Sequence, residues 1–112
     1  MTTKILASPQ ANTTEDLVSA AAIIGALDSM LRLRIIRILQ TGDHYVHELV
    51  AELDKSQPLI SQHLKVLKCS GIVECERRGR EVLYRLSRGD VCLLIDLAAS
   101  VAERIRKDSP QE

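Results

Sequence analysis

The sequence predicts a mainly α-helical fold with one small β-hairpin, in the element order α-α-α-α-β-β-α. Aliphatic side chains recur at helical spacing in five separate stretches, which predicts five helices with an apolar face. Between the fourth and fifth stretches, residues 73–86 alternate apolar and polar side chains around Gly79, which is typical of a hairpin. Only 2% of the residues are aromatic, so the core must consist of Leu, Ile, Val and Ala.

Length and composition restrict the class of protein. A chain of 112 residues corresponds to one domain, and 46% hydrophobic residues is too many for a disordered chain. No run approaches the roughly 20 apolar residues of a membrane span. Residues 1–16 lack the apolar stretch of a signal peptide, and the three unevenly spaced cysteines form no disulfide framework. We therefore expect a cytoplasmic protein without a membrane partner.

Charge is unevenly distributed along the chain, although the net charge is zero. Residues 55–88 contain eight Lys or Arg and three Glu, a local net charge of +5. The remainder contains seven basic and twelve acidic residues, a net charge of −5. The positive segment suits a polyanion such as DNA, although a solvated basic face would have the same composition.

The folded domain is expected to begin after a flexible N-terminal arm that contains Pro9 and small polar residues. We assign residues 1–12 to this arm, residues 13–108 to a single folded domain, and residues 109–112 to a C-terminal tail.

Polar residues ahead of the first two aliphatic stretches predict where these helices begin. Thr13 or Thr14 can cap the first helix, and Asp28 or Ser29 can cap the second. Gly42 follows the second stretch and ends that helix.

The third and fourth helices are predicted to form a helix-turn-helix. The third runs from about Val46 to Leu53, and a short polar turn follows. Ser56 is a good N-cap for the fourth helix, Pro58 fits its first turn, where no backbone donor is lost, and Gly71 ends it. Two helices joined by so short a polar turn form a helix-turn-helix.

The hairpin supplies the wing of a winged helix-turn-helix. Gly79 at its tip allows the positive φ that a tight turn needs, and arginines flank it on both sides. Arg85 on the second strand adds a further cation, whereas Glu74 and Glu76 would have to face away from DNA. A last helix, from about residue 90 to residue 107, has a broad apolar stripe like that of the first helix.

The fourth helix is aliphatic on one face and polar on the other. Ile60, Leu64 and Leu67 share the side that faces the core. On the other faces, Gln can pair in two ways with adenine, Ser can reach a base or a phosphate, and Lys and Arg neutralise phosphates. His63 either packs against the protein or contacts a base. The candidate DNA-binding residues of this helix and the wing are Ser56, Gln57, Ser61, Gln62, His63, Lys65, Lys68, Arg77, Arg78 and Arg80.

Other activities are less well supported by the pattern. A winged helix can hold a protein partner instead of DNA, and zero net charge is compatible with that function. The chain has no Gly-rich phosphate loop, no metalloprotease helix motif and no nucleophile elbow, so we do not expect an enzyme.

Five strings occur in register between residues 24 and 86: L-D-S-M-L-R-L-R-I-I-R-I-L, V-H-E-L-V, S-Q-P-L-I-S-Q-H-L-K-V-L-K, G-I-V and R-R-G-R-E-V-L-Y-R-L. Together they resemble the ArsR/SmtB family of bacterial winged-helix repressors, and V-H-E-L-V and Q-P-L-I-S-Q-H-L-K are similar to actinobacterial members associated with metals. The resemblance implies a repressor of a short inverted-repeat operator, released by a metal ion or another small inducer. It also implies a homodimer joined through the first and last helices, with interface residues Leu17, Ile24, Leu94, Val101 and Ile105.

The resemblance further implies two positions for a metal site, with zinc or another divalent ion as the metal. At the third helix the family's Cys-x-Cys is replaced here by Tyr45-Val46-His47, which leaves His44 and His47 as candidates or as a surface pair. On the last helix, ungapped counting places the ligand positions at Arg88, Asp90, Val101 and Arg104. A slide of two residues places them at Asp90, Cys92, Glu103 and Arg106. Neither set is complete, because arginine does not ligate a cation, and Asp90 is also a natural N-cap.

The cysteines offer a third route to an inducer. Cys69 ends the fourth helix and Cys75 lies on the first strand of the wing. Oxidation or a soft metalloid at either thiol would distort the surface that reads DNA. The usual fate of such cysteines is burial as small apolar residues.

Overall fold

The computed structural model describes residues 13–109, and the predicted N-terminal arm and residues 110–112 of the predicted tail lie outside the described residues. The predicted order of helices and hairpin is confirmed, with one added strand between the second and third helices. The elements are α1 (Thr14–Ala26), α2 (Met30–Gln40), β1 (His44–Tyr45), α3 (Val46–Leu53), α4 (Gln57–Cys69), β2 (Val73–Arg78), β3 (Glu81–Leu86) and α5 (Val91–Asp108).

Hydroxyl side chains cap three of the helices at their N-termini. The Thr13 hydroxyl accepts a hydrogen bond from the backbone N–H of Asp16 at 3.0 Å. The Ser29 hydroxyl accepts from Arg32 at 3.2 Å, and the Ser56 hydroxyl accepts from Leu59 at 3.3 Å. Each bond satisfies a donor that the first turn of a helix leaves without a partner. These caps fix where α1, α2 and α4 begin.

Two residues with positive φ, Asp54 and Gly71, separate α3 from α4 and α4 from β2. Asp54 ends α3 with φ of 55°, which turns the chain toward the Ser56 cap of α4. Gly71 has φ of 83° just after α4, and its backbone N–H donates to the Lys68 carbonyl at 3.0 Å. The left-handed conformation costs a glycine little, so Gly71 ends the helix and leads directly into β2.

The sheet has the strand order β1-β3-β2, and both pairs are antiparallel. Within the hairpin, Cys75 lies opposite Tyr84 and Arg78 lies opposite Glu81. On the other edge of β3, Tyr45 lies opposite Leu83. The central strand of the sheet is therefore β3, and β1 joins the wing to the residues that start α3.

The core is aliphatic, as the composition predicts. Leu49 of α3 and Ile60, Leu64 and Leu67 of α4 have no exposed surface. The cluster also contains buried residues of α1, α2, β2 and α5, with Ile72 just ahead of β2, and these are Ala26, Ile35, Ile36, Leu39, Ile72, Val73, Val91 and Cys92. Among the described residues no polar or charged residue is fully buried. The side of α4 that the sequence predicted to face inward is thus part of the core.

The first and last helices have much apolar surface exposed to solvent. Ile24 of α1 is 65% exposed and Ile105 of α5 is 62% exposed. Other large apolar side chains on these two helices are also exposed, namely Leu17, Val18, Leu93, Leu94, Leu97 and Val101.

Between residues 13 and 109 the structure contains no helix that is long and apolar enough to cross a membrane.

We expect Leu64→Ala to reduce the free energy of unfolding by about 2–5 kcal/mol, because it leaves a cavity beneath α4. Val66→Ala is the matched control on the same helix, since Val66 is 37% exposed and should change stability by roughly 0.5 kcal/mol or less. Urea unfolding at a fixed protein concentration measures both values. Equal losses would contradict the placement of α4 in the core.

Candidate nucleic-acid interface

The outer face of α4 presents polar and cationic side chains to solvent. Gln57, Ser61, Gln62, Lys65 and Lys68 are all exposed, opposite the buried aliphatic side of the same helix. None of the five takes part in an ion pair within the described range. The amide, hydroxyl and ammonium groups are therefore available together, as readout of a DNA groove requires.

His63 differs from its neighbours on α4, because it is half-buried and faces α2. Its Nδ1 lies 3.0 Å from Nη1 of Arg32. Burial lowers the pKa of His63, and the Arg32 charge lowers it further. Of the two orientations left open by the sequence, the structure has the one in which His63 packs against the protein.

Two arginines of the wing are paired with carboxylates of the same subunit. The Arg85 guanidinium lies 2.5 Å from Glu76 and 3.4 Å from Asp43, and Arg78 lies 3.0 Å from Glu76. Hydrogen bonds from Arg85 and then from Arg78 lower the pKa of Glu76 below its ordinary value. Glu76 therefore neutralises part of the wing, an arrangement that the sequence did not predict.

The tip of the wing keeps two cations without a carboxylate partner in the described part of the chain. Arg77 and Arg80 are exposed and take part in no ion pair there. Arg77 donates only a long hydrogen bond, 3.4 Å, to the Gly79 carbonyl. Gly79 has φ of 64°, so the turn presents both side chains at the end of the hairpin. Such a tip suits phosphates or a narrow minor groove.

A cleft separates the start of α4 from the wing and has a volume of about 320 Å³. Gln57 lines it on one side and Arg80 on the other. His47 and Glu81 also line the cleft, and the His47 Nδ1 lies 3.0 Å from the Glu81 carboxylate, which joins α3 to the start of β3. The Tyr45 ring stacks on His47 with a centroid distance of 5.8 Å. Both side chains of the His47–Glu81 pair are exposed, so the pair adds one solvent-accessible contact between α3 and the wing.

The predicted metal ligands are not gathered within one subunit. No group of three or more His, Cys, Asp or Glu residues that could hold a metal occurs between residues 13 and 109. His44 donates to the Gly42 carbonyl at 2.7 Å, and His47 contacts Glu81. Asp90 is paired with Arg88 at 2.8 Å, which lowers its pKa, and Glu103 is paired with Lys107 at 3.3 Å. The described part of one chain thus contains no complete ligand set for zinc or another divalent ion.

Asp90 occupies the N-cap position of α5, but its carboxylate makes no capping hydrogen bond and bonds to Arg88 instead. Asp90 therefore has the predicted N-cap position but does not make the hydrogen bond of a capping side chain.

The three cysteines lie in different environments. Cys69 is exposed at the end of α4, so the expected burial of this thiol is wrong. The buried side of α4 carries Leu64 and Leu67. Cys69 follows Leu67 by two residues, so it lies on a different face of the helix. Cys75 is half-buried opposite Tyr84, and burial raises the pKa of Tyr84. Cys92 is buried, and burial raises its pKa.

Comparison with known proteins gives consistent matches. Residues 29–74 match the family described as "Bacterial regulatory protein, arsR family". The chain is 43% identical over 90 residues to the HTH-type transcriptional repressor SmtB of Mycobacterium tuberculosis, a match that covers 80% of this chain and 67% of that protein.

Solved structures agree with the sequence matches. The structure of HlyU from Vibrio cholerae has a TM-score of 0.70 at 29% identity and covers 80% of this chain and 97% of that chain. The homodimeric winged helix-turn-helix DNA-binding domain of a Mycobacterium bovis protein described as "a possible ArsR-family transcriptional regulator" has a TM-score of 0.71 at 26% identity. This match covers 94% of this chain and 98% of that chain. These relatives are regulators, which confirms that the chain is not an enzyme. Its sequence and its fold together show that the chain belongs to the ArsR family of bacterial regulatory proteins, with the winged helix-turn-helix fold.

Proposed function

We propose that the protein is a dimeric transcriptional repressor that binds a short inverted-repeat operator. The observation that carries the proposal is the exposed polar face of α4 beside the wing tip, where Arg77 and Arg80 form no ion pair with any residue from 13 to 109. Each subunit would place α4 in a major groove and the wing on the adjacent backbone. A repressor of this kind acts on the chromosome, so we infer a cytoplasmic location.

We assign different parts of the DNA to different side chains. Gln57, Ser61 and Gln62 contact bases, because amides and hydroxyls read the edges of base pairs. Phosphates are contacted by Lys65, Lys68, Arg77, Arg78 and Arg80. The Ser56 hydroxyl caps α4, so Ser56 contributes by holding the start of the helix and by its backbone.

The uncovered apolar faces of α1 and α5 support the dimer. Leu17, Ile24, Leu94, Val101 and Ile105 are exposed in one subunit, and a second copy would bury them. The structural relative from Mycobacterium bovis is described as homodimeric. An inverted repeat has the same two-fold symmetry as such a dimer.

The competing function is a winged helix that binds a protein partner. Retention on DNA separates the two, since the exposed lysines and arginines of a DNA-binding protein give strong salt dependence. A dimer that ignores DNA at low salt would favour the protein partner.

We expect Gln62→Ala and Arg80→Ala to affect operator binding differently. Gln62→Ala removes a base contact and should relax base preference, at a cost of about 1–3 kcal/mol on the preferred site. Arg80→Ala removes a phosphate contact, so it should weaken binding to all sequences and reduce the slope of log affinity against log salt by about 1. Fluorescence anisotropy over a salt series measures both.

Arg88→Ala is the matched control for Arg80→Ala, because Arg88 is paired with Asp90 outside the wing and α4. It should leave the salt slope nearly unchanged. Unaltered affinity in both Gln62→Ala and Arg80→Ala would refute the assignment of this surface to DNA.

We expect Val101→Glu to dissociate the dimer, because a buried carboxylate without a partner is costly at an apolar interface. The dimer dissociation constant should rise at least about tenfold. Met30→Glu is the control, since Met30 is 72% exposed but lies on α2. Sedimentation equilibrium distinguishes the two variants, and an equally stable dimer in both would contradict the interface.

We also propose that a small inducer releases the operator. The exposed thiol of Cys69 at the end of α4 supports a thiol route, whereas a metal route would need ligands from both subunits. We expect operator binding to be lost with one of zinc, another divalent ion, arsenite or peroxide. Cys69→Ser, Cys75→Ser, His47→Ala and Asp90→Asn then locate the site, and full binding with every agent would contradict the proposal.

A further inference from the structure

The guanidinium of Arg32 connects three helices. Arg32 lies in the first turn of α2, and its Nε donates to the carbonyl of Ala26 at 2.7 Å, while Nη2 donates to the carbonyl of Gly25 at 3.3 Å. Both carbonyls belong to the last two residues of α1. On its other side, Nη1 lies 3.0 Å from Nδ1 of His63 in the middle of α4. One side chain thus joins the end of α1 to the helix that carries the DNA-binding face.

Arg32 contacts two different kinds of group, the backbone carbonyls of α1 and the imidazole of His63. The last carbonyls of a helix lack partners within the helix, and a cation near them is also favoured by the helix dipole. A guanidinium has donors only, so His63 must accept through an unprotonated Nδ1. A neutral imidazole then carries its proton on Nε2.

A protonated His63 has no acceptor left. Its Nδ1–H would face the N–H groups of Arg32, and the two positive charges would repel one another. From α1, backbone carbonyls contact Arg32, and the only charged group in residues 13–109 that shifts the pKa of His63 is Arg32 on α2. The contact therefore exists only with the neutral form of His63.

We propose that Arg32 and His63 are positioning residues that couple the proposed dimer surface of α1 to the orientation of α4, and that protonation of His63 breaks this coupling. The proposal rests on the proposed function, because its consequence is weaker operator binding in acid. Neither side chain needs to touch DNA. His63 acts through its bond to Arg32, and Arg32 acts through the carbonyls of Gly25 and Ala26.

The direction of the pH effect follows from the lowered pKa of His63 in the folded protein. An unfolded chain binds the proton near pH 6.5, the ordinary value for histidine, before the folded protein does. The stabilising contribution is therefore complete above about pH 6.5 and is lost as the pH falls from there through the lowered pKa. Operator binding involves only the folded protein, so operator affinity should decline as the pH falls through the lowered pKa of His63.

The experiment compares wild type, His63→Asn and His63→Leu in operator binding at pH 5.5 and 7.5, at constant ionic strength. Asparagine keeps a neutral acceptor near the position of Nδ1, whereas leucine removes the acceptor. We expect wild type to lose at least about fivefold more affinity in acid than His63→Asn does. His63→Leu should bind at both pH values about as weakly as wild type does in acid. Any other effect of acid is common to all three proteins and cancels in the comparison.

A second measurement keeps this test separate from the test of DNA binding. If the folded dimer binds no DNA at any pH, the proposed function fails, and urea unfolding still reports the Arg32–His63 contact. Unfolding stability should fall in acid more in wild type than in His63→Asn, and the imidazole of wild-type His63 should titrate below pH 6.5 by NMR. A pH effect on unfolding without one on binding would overturn the coupling, as would equal pH dependence in wild type and His63→Asn.

Discussion

Burial of the aliphatic side of α4 is the constraint on which the other features depend. Ile60, Leu64 and Leu67 have no exposed surface, so the rotation of the helix about its axis is fixed. A helix can turn one face inward only by turning the opposite face outward, and here the outward face carries amides, a hydroxyl and ammonium groups. The same three residues hold α4 to the core cluster, from which the chain passes through Ile72 into the wing.

Local features of the chain were predictable, whereas contacts between distant residues were not. Ser56 and Gly71 act on their own neighbours, so a short stretch of sequence was enough to place the ends of α4. For α2 the sequence left Asp28 and Ser29 open, and the structure has Ser29 as the cap. The strand β1 has two residues, too few to show an alternating pattern, and it exists only because β3 lies beside it. The bond between Arg32 and His63 spans 31 positions, and nothing in either neighbourhood indicates the other residue.

The ion pairs of Arg85 in the wing could not be predicted either, because they also join residues that lie apart in the sequence. A count of charges along residues 55–88 treats every arginine as available to a polyanion. In the fold, cross-strand geometry brings Glu76 to Arg85, and Asp43 reaches Arg85 from outside the hairpin. The positive charge is consequently concentrated at the tip, on Arg77 and Arg80, and reduced along the body of the wing. A sequence gives the number of charges, but the side chains that remain unpaired depend on the pairing of strands.

The short strand β1 has a mechanical consequence. It is covalently continuous with α3 and hydrogen-bonded to β3, and the contact of His47 with Glu81 adds a second link between α3 and the wing. Tilting of the hairpin would disrupt both links, so we expect the wing and α3 to move together. In the proposed complex, DNA with altered spacing between its two half-sites would therefore have to be accommodated by bending of the duplex or by movement between subunits.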